Sequence, residues 1–337
     1  MDAGYQAINY KGNSVHGIAG NGSSTSQINF RGVSDLGGGL KADFRIENDW
    51  NVVSNKANTG SVGGSAYDKD TAGTFGNGEL RVGLASDKVG RIDFGAVNMN
   101  GLTTLTTGQP FGTAIGGGYA SVTRVNAAGT AVRDDNAVKF TSAAFSGVTA
   151  TLYKSYKQTK SSSTSTNFST TFGAYDKLGS QEVGLNYANG PLAASYSTLK
   201  QDSVDVVSGD TATTVNTLGA NYTYNAFKGY ALYQTVKTTT GTVATDTSYT
   251  ALTAQYTLGN TVLMASTGKL KQDAGSNAGK ESKLTAFGAD YNLSKTTALY
   301  ARYEKIDDQA GAIAAVATID GSDKVRTRTA LGLRVAF

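Results

Sequence analysis

Cysteine is absent from the 337 residues; proline occurs twice, histidine once and tryptophan once. Without cysteine there is no disulfide framework and no thiolate metal site. The single histidine, His16, falls in a Gly/Ser-rich stretch and reads as a solvated loop residue. A histidine-based metal centre or a Ser/His/Asp relay would need that one side chain brought to its partners, so enzymatic readings fare badly. No run of about eighteen apolar residues occurs, which excludes a membrane-spanning helix. The net charge is only +4, and no block of Lys and Arg marks a nucleic-acid surface. The triple glycine at 37–39 neither opens a helix nor precedes a phosphate-loop lysine, so it reads as a turn. Asp68, Asp70, Asp307 and Asp308 read as hydrated loop charges. No cofactor and no metal is implied.

What is present is glycine, at 42 residues, with abundant Thr, Ser, Asn and Tyr, a composition that favours strands and turns. The chain falls into pieces of roughly ten residues that alternate apolar and polar. In LKADFRIENDW, Leu40, Ala42, Phe44 and Ile46 share one face, and Lys41, Asp43, Arg45, Glu47 and Asp49 share the other. Five charges on one face would be costly in a sandwich core. On the wall of a water-filled lumen they stay hydrated while their apolar neighbours meet lipid. The same alternation recurs in GELRVGLA, RIDFGAV, NAVKFTS, VTATLYKSY, EVGLNYA, TVNTLGANYTY, SYTALTAQYTL, SKLTAFGADYNL and the closing VRTRTALGLRVAF.

Short turns alternate with long polar loops through about sixteen such segments, as when turns lie on one side of a membrane and loops on the other. Asp2 to Asn9 reads as a short first strand, followed by a loop to Thr25. Tyr187, Tyr222, Tyr224, Tyr256, Tyr291 and Phe337 recur near the turns and Trp50 near a loop, which suits two interfacial girdles. The reading is all-β: one domain over 1–337, a 16-stranded antiparallel transmembrane β-barrel.

One stretch breaks the pattern. Residues 98–134 have no alternation, and a segment of this kind inside a compact unit is usually functional. It is expected to fold into the lumen and narrow it. Its tip is Gln109-Pro110-Phe111-Gly112, where Pro110 stiffens and Gly112 permits a reversal. Its interior carries Arg124 and no carboxylate before Asp134. On the wall, alternation points Arg45, Arg81, Lys139, Arg302 and Arg328 inward and sets Arg133 where the loop rejoins the wall. The inward acids are Asp43, Glu47, Glu79, Asp93, Asp290 and Glu304. Pairing of Arg45 with Glu47 or Asp43, of Arg81 with Glu79, or of Arg133 with Asp134 or Asp135 is the plainer role for each cation.

The pieces NFRGVSDLGGGLKADFRIE at 29–47, RVGLAS at 81–86, GRIDFGA at 90–96, RDDNAVKFTSAAFSG at 133–147, GLNYANGPLAASY at 184–196, YNLSKTTALYARY at 291–303 and the closing LGLRVAF resemble the trimeric general-diffusion porins of Gram-negative outer membranes, especially the β-proteobacterial type. The resemblance implies sixteen strands, a homotrimer in outer-membrane lipid, a third loop folded into the pore, and passage of ions and small hydrophilic solutes. Strongly anion-selective members often carry Arg where this chain has Gln27, and basic residues near Gly78. That departure predicts only a modest anion preference. Members also begin with more strand residues ahead of the stretch resembling Asp2-Ala-Gly4, which predicts an altered contact between first and last strands. The alternative function is a substrate-selective channel for sugars or organic acids, which would need an aromatic slide. An adhesin with a plugged lumen is a third.

Overall fold

The structure, a computed structural model, describes residues 1–10, 13–53, 56–57, 75–119, 121–123, 132–156, 179–203, 211–311 and 324–337. Among these residues, eighteen strands and one helix form. The first six strands are β1 (Asp2–Tyr10), β2 (Asn13–Gly20), β3 (Gln27–Gly37), β4 (Leu40–Asn51), β5 (Lys56–Ala57) and β6 (Leu80–Ser86). After β7 (Gly90–Asn98) comes helix α1 (Asn100–Gly108), then β8 (Arg133–Ser142), β9 (Val148–Ser155), β10 (Gly179–Asn189) and β11 (Leu192–Ser203). The long meander follows as β12 (Thr211–Tyr224), β13 (Phe227–Thr240), β14 (Val243–Leu258) and β15 (Thr261–Ala274). It ends with β16 (Glu281–Asn292), β17 (Thr297–Asp308) and β18 (Val325–Val335).

From β6 to β18 each strand pairs antiparallel with its sequence neighbour, β4 pairs with β3 and β6, and the last strand returns to the first, Asp2 opposite Arg334 and Asn9 opposite Thr327. The ladder thus runs around a barrel, interrupted between β2 and β3; pairing strand to strand satisfies the backbone groups of the rest of the wall. The count exceeds sixteen because β2 occupies residues assigned above to a loop, and because β4 carries the two-residue partner β5. β2 is poor in strand formers. It is recruited because β1 has a second edge to satisfy, and the ladder from Ala3–Gly20 to Tyr10–Asn13 does so whatever the local propensity. His16 is therefore a strand residue beside Tyr5, ring centroids 6.1 Å apart, and not a loop residue.

Among the described residues no ladder joins β2 to β3. Side chains instead tie the loop between these two strands to β1 and β17. The Asp2 carboxylate accepts from the N–H groups of Ser23 and Ser24, each at 2.7 Å, and from the Tyr300 hydroxyl at 2.6 Å. The Ser26 hydroxyl accepts the Asp2 N–H at 2.8 Å, and Arg302 donates to the Ser23 hydroxyl at 2.9 Å.

The two faces of the wall meet different surroundings. On β15, Leu263, Ala265, Thr267 and Lys269 are exposed while Met264, Ser266, Gly268 and Leu270 are buried; β16 and β17 repeat the alternation. Leu252 (61%), Leu331 (63%) and Val82 (59%) stand on the outer face, whereas Arg302 (6%) and Glu304 (0%) lie inside. The aromatic residues expected near the turns, Tyr222, Tyr224, Tyr256 and Tyr291, are exposed.

Candidate functional site: the lumen constriction

Residues 98–119 and 121–123 enter the barrel, and apolar side chains among them pack on the inner wall. Leu105, Tyr119 and Val122 join Leu232, Tyr249, Leu270, Leu284 and Ile306 in the largest interior cluster. The first part of this stretch is helical for nine residues, about two and a half turns, which alternation alone did not reveal. The run NGLTTLTTG is rich in threonine, a middling helix former, but the helix places Leu105 and Thr104 on the face that meets the wall. Its N-terminus has no side-chain cap of its own. Glu182, reaching in from β10, supplies one by accepting the N–H groups of Asn100 and, at 2.7 Å, Gly101. A carboxylate there meets both the unpaired N–H groups and the positive end of the helix dipole. Asn100 accepts from the Asn186 amide at 2.9 Å, Thr104 shares a hydrogen bond with Ser195 at 2.7 Å, and Asn221 donates to the Thr107 carbonyl at 2.8 Å.

Close approach of helix and wall depends on glycine. A Cβ on Gly219 would lie 2.2 Å from the Thr104 carbonyl oxygen, and one on Gly108 would lie 2.6 Å from Leu232. Gly219→Val is expected to push α1 into the lumen, costing about 1–3 kcal/mol by overpacking. Single-channel recording should show lower conductance than the parent protein, and an unchanged current would place the conducting path away from α1.

The loop tip closes on itself: the Gln109 amide accepts the Phe111 N–H and donates to the Gly112 carbonyl, both at 2.7 Å. Gly112 takes φ +60°, a conformation that suits glycine. Phe111 is buried among Met264 and Ala286, with the Arg302 guanidinium 5.9 Å from its ring centre. Beyond the tip, Glu304 accepts the N–H groups of Gly116 at 3.1 Å and Gly118 at 3.2 Å, and its other oxygen takes Arg326 at 3.2 Å and Arg328 at 2.8 Å. Arg124 lies outside the described residues.

The cations assigned to the wall all face the lumen, and most are neutralised. Arg45 pairs with Glu47 and, at 2.7 Å, with Glu79. Arg81 pairs with Asp43 at 2.6 Å and Asp93 at 3.0 Å, and Arg91 reaches the same Asp43 at 2.6 Å. Arg302 holds Asp290 at 2.7 Å. Two cations differ. Lys139 donates to the Asn98 carbonyl at 2.8 Å, and Arg133 donates to the Asn98 side chain at 2.9 Å. The ion pair of Arg133 is with Glu47, at 4.0 Å, where Asp134 or Asp135 was expected. Asn98 also donates its N–H to Glu79 at 3.2 Å, so it gathers both cations at the loop root. Sequence reasoning missed Asn98 and Glu182, because each acts through a partner distant in the chain. A third cation, Arg31 on β3, was not among those assigned to the wall. It is inward, opposite Arg45, exposed, and without an ion-pair partner among the described residues.

A family model described as Gram-negative porin matches residues 1–311. The chain belongs to the Gram-negative porin family. As such it is an outer-membrane protein through which small solutes diffuse passively. It is 28% identical over 304 residues to outer membrane porin protein 32 of Delftia acidovorans, covering 86% of this chain and 76% of that one. In fold this porin is similar to the anion-selective porin from Comamonas acidovorans, with a TM-score of 0.78, 21% identity, and cover of 100% and 97% of the two chains. It is also similar to OmpT of Vibrio cholerae in its trimer form, with a TM-score of 0.68, 12% identity and cover of 99% and 98%.

Proposed function

We propose that this porin passes small hydrophilic solutes with a modest preference for anions, set at the neck between α1 and the charged wall of β4, β6, β7 and β8. The observation that carries this reading is the imbalance left after pairing. Asp43, Glu47, Glu79 and Asp93 are engaged by Arg45, Arg81 and Arg91, whereas Arg31 has no ion pair among the described residues, Arg133 binds the Asn98 side chain with Glu47 only at 4.0 Å, and Lys139 donates to a carbonyl with Glu182, Glu79 and Asp93 as its charged neighbours. A solute charge at ~4 Å from an uncompensated wall charge feels about 1 kcal/mol in bulk-like water, and more where the passage is tight. Paired charges largely cancel, which keeps the preference modest. The similarity to a porin described as anion-selective supports the sign, and the trimeric relative supports a homotrimer.

The experiment is a planar-bilayer measurement under a salt gradient. A reversal potential of anion-selective sign that shrinks as ionic strength rises is expected, since screening weakens exposed charges. A cation-selective potential would refute the proposal. A sugar channel is less favoured: the inward-facing Tyr300 is buried and bound to Asp2, so it offers no stacking face to a solute.

A further inference from the structure

Helix α1 and a row of arginines share one level of the barrel and face each other across it. Arg31, Arg45 and Arg81 stand opposite one another in register on β3, β4 and β6. Arg45 and Arg81 lie five positions from the strand ends Leu40 and Ser86. Gly219 and Leu232, on which α1 packs, lie five positions from the strand ends Tyr224 and Phe227. Setting aside the two-residue β5, seven strands separate β3 from β12 one way around the ring and eight the other. The helix turns Thr104, Leu105 and Gly108 to the wall, leaving Thr103 and Thr106 exposed and Thr107 half-buried beside them.

The two sides offer opposite chemistry. A guanidinium only donates, and Arg31 is exposed with no ion pair among the described residues. On α1 the Thr106 hydroxyl donates to the Thr103 carbonyl at 3.0 Å and the Leu102 carbonyl at 3.3 Å, and the Thr107 hydroxyl donates to the Thr103 carbonyl at 2.9 Å. A hydroxyl has one proton, so both oxygens are left as acceptors. Glu182 covers the N-terminus of α1, but no basic residue lies in its last turn, where Asn221 binds the Thr107 carbonyl without bringing a charge. The partial negative charge of that helix end therefore persists. Residues 98–119 and 121–123 carry no acidic or basic side chain, so the loop side of the neck is negative through dipoles and lone pairs alone.

We infer that Thr106 and Thr107 are specificity-determining residues, and that among small solutes without net charge the neck favours zwitterions carrying an ammonium group. The solute turns its carboxylate to Arg31 and its ammonium to the threonine oxygens and the C-terminal end of α1. An uncharged solute of the same size gains little from either side. A simple anion gains from Arg31 and finds no donor in the Thr106 and Thr107 hydroxyls. The inference rests on the neck lying between α1 and the charged wall, as proposed above, and not on the sign of the ion selectivity.

The test reconstitutes the full chain in liposomes and follows swelling at neutral pH in β-alanine and in its uncharged isomer lactamide, each corrected for protein-free vesicles. The ratio of the two rates cancels the amount of protein inserted. β-Alanine is expected to enter the parent protein's vesicles at least about threefold faster. T106V/T107V, which keeps the shape and removes the oxygens, brings the ratio toward one, and T106S/T107S retains it. R31Q lowers it from the other side. Equal rates in the parent protein, or an undiminished ratio in T106V/T107V, overturns the inference. Should the valine variant fail to fold, a ratio in R31Q equal to the parent protein's overturns it instead. A cation-selective reversal potential would sink the anion reading by itself, whereas equal swelling beside an anion-selective potential would sink this inference alone.

Discussion

Alanine at Arg45, Arg81 and Arg133 together is expected to reverse the sign of the membrane potential at zero current, from weak anion to cation preference. The three guanidiniums hold or face four acids. Without them Glu47 and Glu79 lose Arg45, and Asp43 and Asp93 keep only Arg91. The lumen wall then carries several uncompensated carboxylates where it carried almost balanced pairs. One such charge is worth about 1 kcal/mol to a passing ion at ~4 Å in water-like surroundings. Two or more together swing the permeability ratio by roughly tenfold or beyond. Reversal potentials under a salt gradient give the ratio directly. A potential that does not move would show that current bypasses the β4–β6–β7 ladder, and the constriction would have to be sought elsewhere.

The second large effect is expected at Glu304. This carboxylate is fully buried, holds two arginines of β18, and takes the N–H groups of Gly116 and Gly118 from the inner loop. Glu304→Gln keeps the shape but takes the carboxylate from the buried Arg326 and one ion pair from Arg328, a loss of about 3–5 kcal/mol by analogy with broken buried ion pairs. Two readouts separate the roles. Heat resistance of the folded protein in detergent should fall, and the surviving channels should show larger and noisier currents as the loop loses its anchor beyond the tip. Removing both the acid and its guanidiniums, as E304L/R326M/R328M, should recover much of the heat resistance but not the quiet current. If currents in the single variant stayed as quiet as in the parent protein, the Glu182 cap at the other end of the loop would be sufficient by itself.

The alternation of apolar and polar residues made the wall legible. In a sheet wrapped between lipid and water, each strand residue has two possible destinations, and the side chain's own chemistry selects one. Arg45, Arg302 and Arg328 could therefore be placed inward from the sequence, and Leu331 and Leu333 outward. Residues 98–134 were legible as an interruption for the same reason. The helical turn within them was not. Nor was β2, whose weak sequence becomes a strand only because a neighbour's edge requires a partner.

The alternating wall, and the inward faces of Arg45, Arg81, Arg302 and Arg328, follow from local periodicity and could be read from the residues alone. Which charges remain available to a solute depends on contacts that form only in the folded barrel. Pairing is a matter of a few ångströms between residues far apart in the chain: Arg45 finds Glu79, Glu182 finds Asn100, and Glu304 finds Gly116 across the lumen. Coulomb energy falls with distance and cancels on contact, so the field of the pore is set by these contacts and not by the list of charged residues.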